Sequence, residues 1–268
     1  MSAPAMVKVQ GLEKRFGDLC AVDCIDFEVH QAECFGLLGA NGAGKSTTIK
    51  MMIGLLTIDS GTIEIAGDSV GDEPAKVRAA IGYVPQMLSV DGALTGYENL
   101  LVFAKLYGLK RQERRTRIQE ILEMLGLVDA ADRPVKTYSG GMIRRLEIGQ
   151  AILHHPLVLL LDEPTVGLDP LARKGVWEHI ERLREEYRIT ILLTTHYMDE
   201  AESLCTRIAI MSRGRIAAMG SAAELRREIG QPRATMDDVF AHFAGQFDQP
   251  EGAMRDVARS RRTARRLG

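Results

Sequence analysis

No apolar run in these 268 residues approaches the ~18 that a membrane-spanning helix needs. The opening Met1-Ser2-Ala3-Pro4-Ala5 lacks a charged segment followed by an apolar stretch, so no secretory leader is expected and the chain is expected in the cytosol. Cysteine is scarce. Cys20, Cys24, Cys34 and Cys205 lack the paired C-x-x-C of a zinc ribbon and are too few for a disulfide scaffold, which leaves them expected as reduced core residues. Internal repeats are absent, and no block of low complexity occurs before the tail. Net charge is also small, at −2, but it is unevenly spread: residues 255–268 carry six arginines against one aspartate, leaving −7 on the rest. A chain with 46% apolar and 26% charged residues is an ordinary globular protein, with room for one large α/β domain or two small ones.

Gly39-Ala40-Asn41-Gly42-Ala43-Gly44-Lys45-Ser46 has the form G-x-x-x-x-G-K-[ST] and follows the apolar run Phe35-Gly36-Leu37-Leu38. Such a loop turns successive backbone N–H groups inward to form an anion nest, and the helix that starts near Ser46 adds its positive dipole end. Lys45 is placed to reach the β- and γ-phosphates of a nucleoside triphosphate. The Ser46 hydroxyl, backed by Thr47, would complete the coordination of Mg²⁺.

Periodicity divides the chain. Ile25, Phe27 and Val29 alternate with polar residues, as do Ile63 and Ile65, which predicts half-buried antiparallel strands in the first sixty-odd residues. Ile118, Ile121, Leu122 and Leu125 recur at helical spacing, so residues 95–128 read as a helical insertion. From residue 157 the runs Leu157–Leu161, Ile191–Leu193 and Ile208–Met211 alternate with helical stretches, as buried parallel strands with crossover helices do. Gly230-Gln231-Pro232-Arg233 is a break, after which Met236 to Phe243 is expected as one more short helix and the remainder as disordered.

The run Leu157 to Leu161 ends in Asp162-Glu163-Pro164. Two acids at a strand end suit a magnesium-associated carboxylate, Asp162, followed by one able to polarise a water, Glu163. Tyr138-Ser139-Gly140-Gly141-Met142 precedes a helix-prone segment and offers a hydroxyl and free N–H groups at a helix start, a second anion-binding element. His154-His155 is not a metal pair, because adjacent residues do not share a helix face and no third ligand is evident; solvated loop histidines are expected. Met51 and Met52 are expected in the core.

Taken in order, the phosphate loop, Ser-Gly-Gly, Asp-Glu-Pro, Gly167-Leu168-Asp169 and Thr194-Thr195-His196 resemble the ATP-binding-cassette ATPases over about residues 6–225. The resemblance implies a phosphate-loop core with a mostly parallel sheet, an N-terminal antiparallel β subdomain and a helical subdomain inserted at about 87–155. The cassette would then occupy 1–229, followed by a short helical extension to 250 and an arginine-rich tail. It also implies roles. Phe16 would stack on adenine, with Val22 lining the same face; Gln86 would sense Mg²⁺ and the attacking water. Asp169 would lie on a loop touching the opposite subunit, and His196 would be the switch histidine near the γ-phosphate. Ser139, Gly140 and Gly141 would cap the nucleotide of a second cassette, so that two chains enclose two ATP molecules head to tail.

Tyr138 and Met142 depart from the family's usual Leu and Gln. Together with Leu94-Thr95-Gly96-Tyr97-Glu98-Asn99-Leu100, Thr194 to Glu202 and Met236-Asp237-Asp238-Val239-Phe240, they resemble the branch of daunorubicin-type drug and nodulation-factor exporters. That branch implies a peripheral ATPase on the cytoplasmic face of the cell membrane, paired with a second, identical copy and driving a separate ABC-2 type permease, with no nucleic acid partner. The rival is a soluble cassette ATPase working on ribosomes or DNA; such relatives usually carry two cassettes or a long coiled-coil insertion, and neither occurs here. The arginine tail fits a solvated end, an anionic lipid, nucleic acid or an acidic permease loop.

Overall fold

The computed structural model describes residues 4–245; the arginine-rich stretch 255–268 and the ending expected to be disordered beyond 245 lie outside them. Two long strands open the chain, β1 (Ala5–Phe16) and β2 (Leu19–His30), paired antiparallel. Then come β3 (Cys34–Leu38), α1 (Lys45–Met52), β4 (Ser60–Ile65), the two-residue β5 (Asp68–Ser69) and α2 (Pro74–Ala80). After β6 (Ile81–Val84) follow three helices, α3 (Gly96–Leu106), α4 (Arg111–Met124) and α5 (Gly140–Ile152). The remainder runs β7 (Val158–Asp162), α6 (Pro170–Tyr187), β8 (Thr190–Thr195), α7 (Met198–Leu204), β9 (Arg207–Ser212) and β10 (Arg215–Gly220), then α8 (Ala222–Glu228) and α9 (Met236–Gly245).

The strands form two sheets. One is antiparallel, in the order β2-β1-β4-β5; the other runs β10-β9-β3-β8-β7-β6 and is parallel except for the β9–β10 hairpin. This is the α/β architecture expected from the period change along the chain. In β2 the alternation is visible in burial: Ile25, Phe27 and Val29 are buried and Asp26 and Glu28 exposed. Strands β3, β7 and β8 are buried throughout, because both faces of their sheet are covered.

Alternate residues of β7 divide between two cores. Leu159 and Leu161 pack with helical residues such as Ile121, Leu146 and Val176, whereas Val158 and Leu160 join Phe35, Ile49 and the inward residues of the antiparallel sheet. Met51 and Met52 are fully buried in this second core, as expected. A third cluster joins α7, α8 and α9 to the outer strands through Ile208, Ile210, Leu225, Met236, Val239 and Phe243. The short helix expected at 236–243 is therefore present, held by its apolar stripe.

Local signals set the helical insertion. Thr95 and Glu98 form a reciprocal cap at the start of α3: Glu98 N donates to Thr95 Oγ1 (3.1 Å) and Thr95 N to Glu98 Oε2 (2.8 Å). Tyr138, where the family usually has Leu, is explained by its contacts. Its hydroxyl donates to the Ala130 carbonyl at 2.5 Å, and its ring end lies so close to Gly96 that a side chain there would collide with it. The phenol thus ties the approach to α5 to the start of α3.

Two expectations need correction. Only Cys34 of the four free cysteines is buried; Cys24 is exposed, at a left-handed kink (φ 49°) that breaks the alternation of β2. His154 is not a solvated loop residue: its Nε2 lies 2.9 Å from the Ile81 carbonyl oxygen and its ring stacks 3.9 Å from that of Tyr107. Burial pulls its pKa down, which favours the neutral imidazole suited to this packing. Among the described residues, no group of three or more His, Cys, Asp or Glu is placed to hold a metal ion.

Gly82 lies where β6 passes α5, and a Cβ there would collide with the Ala151 carbonyl oxygen. Backbone cannot yield as a flexible side chain can. Gly82→Ala is expected to lower stability by about 1–3 kcal/mol, read as a drop in the thermal unfolding midpoint; an unchanged midpoint would mean that α5 is not held this closely against β6.

Candidate nucleotide-binding site

Four chain segments meet at the carboxyl ends of adjacent parallel strands, where open α/β sheets hold their ligands. The phosphate loop follows β3, His196 follows β8, Asp162 ends β7 with Glu163 next to it, and Gln86 lies just after β6. None of these is a sequence neighbour of another; the strand order brings them together.

The loop Gly39 to Ser46 turns tightly, with Gly42 and Gly44 at φ 81° and 105°. At Gly44 a left-handed backbone is needed and space is also closed, since a Cβ would collide with the Ala21 carbonyl oxygen. Gly39, Ala43 and Gly44 are buried, whereas Ala40, Asn41 and Gly42 are exposed along the rim and Thr47 is half-buried in the first turn of α1. Val22, expected on the adenine face, lies on β2. It is fully buried, and its Cγ2 lies 3.5 Å from where a Gly44 Cβ would stand, so it backs the loop from beneath. Phe16 is 47% exposed at the β1–β2 turn. Its strand is pinned by Asp59, which accepts from Lys14 Nζ (2.7 Å) and Arg15 N (2.8 Å); these donors hold the Asp59 carboxyl below the usual carboxylate range.

Lys45 is 4% exposed. It donates to the Gly39 and Ala40 carbonyls (2.8 and 3.1 Å) and stands 3.3 Å from Glu163 Oε1. Ser46 Oγ donates to Asp162 Oδ1 at 2.9 Å, and Thr194 Oγ1 donates to the same oxygen at 2.6 Å. Burial and the Asp162 charge push the nearby Tyr83 phenol up to about 12, so it stays protonated.

Glu163 has φ 48°, an uncommon conformation for a residue with a Cβ. Its N–H donates to the Thr194 carbonyl (3.1 Å) and hydroxyl (3.0 Å), which hold the turn in place. The turn sends the carboxylate toward Lys45, Gln86 and His196. Gln86 Nε2 donates to Glu163 Oε2 at 3.1 Å, and His196 Nδ1 lies 3.2 Å from the same oxygen. The expected catalytic residues Glu163, Gln86 and His196 are therefore brought into one cluster, and Ser46 and Asp162 into a second beside it.

The Ser-Gly-Gly element stands apart from this cluster. Ser139 caps α5, its Oγ accepting from Met142 N at 3.3 Å, and Ser139 and Gly140 are exposed. A Cβ at Gly140 would crowd Leu168, and one at Gly141 would press on Ala172. Exposed Asp169 caps α6, its Oδ1 accepting from Leu171 N and Ala172 N.

Pattern reasoning missed the pair that joins α5 to Gln86. Arg144 donates to the carbonyls of Pro85 (2.8 Å) and Gln86 (3.2 Å) and pairs with Glu147 at 3.0 Å; Glu147 accepts from Ser89 N and Oγ. Burial pushes Glu147 up and Arg144 down, while the charge of each partner acts in the opposite direction on the other. The signal was faint: two charges three apart on a helix that is otherwise mostly buried.

A family model described as ABC transporter matches residues 22–166, more than half of the chain. This chain belongs to the ABC transporter family. As a member it binds ATP and hydrolyses it. It is 43% identical over 225 residues to the linearmycin resistance ATP-binding protein LnrL of Bacillus subtilis, covering 84% of this chain and 72% of that one. Against the Nod factor export ATP-binding protein I of Ralstonia nicotianae it is 42% identical, covering 84% and 70%. Identity to the daunorubicin/doxorubicin resistance ATP-binding protein DrrA of Streptomyces peucetius is 46%, covering 84% and 68%. Among solved structures, the ATP-binding subunit of an ABC transporter superposes with TM-score 0.78 at 32% identity, covering 89% of this chain and 99% of that one. A dimeric ATP-binding cassette in a post-hydrolysis state with ADP and Pi gives TM-score 0.71 at 27% identity, covering 81% and 98%. No helix among the described residues of this chain is long and apolar enough to cross a membrane.

Lys45→Ala removes the buried cation that faces the phosphate loop, and ATP turnover is expected to be lost; wild-type hydrolysis by this variant would overturn the site. Phe16→Ala is expected to weaken nucleotide binding by about 1–3 kcal/mol if the exposed ring stacks on the base. Titration with a fluorescent nucleotide checks this, and an unchanged affinity would leave the ring without that role.

Proposed function

We propose that this chain is the ATP-hydrolysing subunit of an exporter, working as a head-to-tail pair that drives a separate ABC-2 type permease at the cytoplasmic face of the cell membrane. The observation that carries the chemistry is the convergence of Lys45, Gln86 and His196 on Glu163. A loop lysine for the phosphates, a carboxylate for the water and two polar side chains beside it are what phosphoryl transfer to water requires.

Catalysis here is positioning and charge stabilisation. Lys45 exchanges the Gly39 and Ala40 carbonyls for the β- and γ-phosphates. Glu163 then orients and polarises the attacking water and accepts its proton as the bond from the γ-phosphorus to the ADP oxygen breaks. Gln86 and His196 hold the carboxylate and contact the γ-phosphate. The oxygen donors Ser46 Oγ, Asp162 and Gln86 are the hard set that magnesium prefers. When bound, the ion neutralises charge on the phosphates.

Pairing is supported by where Ser139 lies. It is exposed at the start of a 13-residue helix, beside Leu168 and the Asp169 loop, with backbone N–H groups free to meet an anion brought by another molecule. A similar chain, the solved cassette with ADP and Pi, is dimeric. Export is supported by the Nod factor export and drug-resistance relatives. A ribosome- or DNA-directed role is disfavoured, because α3 and α4, between the phosphate loop and Ser139, have only 11 and 14 residues.

Glu163→Gln keeps shape but removes the base. Hydrolysis is expected to fall by about 10²–10⁴ while binding survives. ATP should then accumulate between closed subunits, so light scattering after size exclusion is expected to show a dimer in Mg·ATP and a monomer in ADP. Adding Ser139→Arg should restore the monomer. Wild-type turnover would remove Glu163 from its role, and an inactive protein that stays monomeric in ATP, even with its permease, would remove the sandwich.

A further inference from the structure

The residues assigned so far leave unexplained how the Asp169 loop, at the start of α6, is connected to His196, which precedes α7. Arg173 lies one turn into α6, and its N–H donates to the Asp169 carbonyl at 2.9 Å. Its guanidinium carbon stands 4.1 Å from the centroid of the Tyr197 ring and 5.3 Å from that of Trp177, and Nη2 donates to Asp199 Oδ1 at 2.8 Å. The Tyr197 ring lies 4.3 Å from the His196 imidazole.

A buried carboxylate braces the same junction from below. Glu200 is fully buried on α7, and its Oε1 accepts from Thr165 Oγ1 (2.6 Å) and Trp177 Nε1 (3.1 Å). Thr165 belongs to the turn that follows Glu163, and Trp177 to the second turn of α6. The first two turns of α6 are therefore cross-linked to the start of α7 twice.

Within the upper link, the ion pair to Asp199 is the weaker part, because that carboxylate is 62% exposed and screened by water. The stack on Tyr197 is the stronger, since the Arg173 side chain is only 14% exposed and an aromatic face attracts a partly desolvated cation more than a hydrated one.

We propose that Arg173 is a positioning residue: by clamping Tyr197 it fixes His196 against Glu163 and carries displacement of the Asp169 loop to that histidine. The part of the proposal that concerns the second subunit rests on the head-to-tail reading. Its function is to make hydrolysis answer to the partner's arrival, while nucleotide binding through Lys45 and Ser46 stays independent.

The test uses the full chain and measures ATP hydrolysis against ATP concentration, nucleotide affinity and thermal unfolding. Arg173→Ala and Tyr197→Ala are each expected to lower kcat about tenfold, which is about 1.4 kcal/mol of barrier, with KM and nucleotide affinity unchanged. Tyr197→Phe keeps the ring face and is expected to stay within about twofold of wild type. The double variant should be no worse than either single one, because both break one link. Arg173→Met keeps the packing of the stem; it should show the same loss of kcat even where Arg173→Ala lowers the unfolding midpoint. An unchanged kcat in Arg173→Met, additive losses, or equal losses in Tyr197→Phe and Tyr197→Ala would overturn the proposal.

In the Glu163→Gln background, Arg173→Ala is expected still to pair in Mg·ATP. If it abolishes pairing that Glu163→Gln alone supports, Arg173 is part of the subunit contact and the relay is wrong. If Glu163→Gln alone never pairs, the head-to-tail reading fails, and the kcat series still decides whether Arg173 positions His196.

Discussion

The left-handed turn at Glu163 is the constraint on which the site depends. At the end of a fully buried strand, a residue with a side chain adopts φ 48°, a conformation that costs about 1–3 kcal/mol unless the surroundings enforce it. Thr194 enforces it, receiving the Glu163 N–H on both its carbonyl and its hydroxyl while that hydroxyl donates to Asp162. One threonine on β8 thus holds both the last residue of β7 and the acid that follows it. Asp162 points to Ser46, and Glu163 points to Lys45, Gln86 and His196.

Around that turn two kinds of support meet. The loop after β3 is backed by Val22 and closed against Ala21 and Met211, which leaves it little freedom. Gln86 and His196, by contrast, are carried on connections gripped from outside: Gln86 through Arg144 of α5, His196 through Tyr197 and the α6–α7 junction. The helices that do the gripping begin at Ser139 and Asp169, the two exposed caps assigned to a second subunit. In the proposed head-to-tail pair, this layout would let the partner's contact bear on the same carboxylate that faces Lys45.

Much of this was legible in the sequence. The phosphate loop, the acid pair after an apolar strand and the Thr-Thr-His run each follow from what their chemistry needs, and the change from period two to helical spacing marked the inserted helices before any fold was known. The T-x-x-E of Thr95 and Glu98 became the reciprocal cap it suggests. What misled was local reading of residues whose setting is remote. His154 looked like a loop histidine because nothing near it in sequence announces Tyr107 or the Ile81 carbonyl.

The sequence by itself determined which groups are present and which class of reaction they serve, because a phosphate nest and a helix cap are built from consecutive residues and need no distant partner. Tertiary structure alone decided that these groups form one site. The order β3-β8-β7-β6 sets four strand ends side by side although their residues are scattered from Gly39 to His196. It also decided that Arg144, Glu147, Arg173 and Glu200 have work to do, since a charge on a helix is solvated or structural according to what packs against it. That is a property of the whole fold, set by how alternate faces of β7 and its neighbours are covered, and no short stretch of the chain contains it.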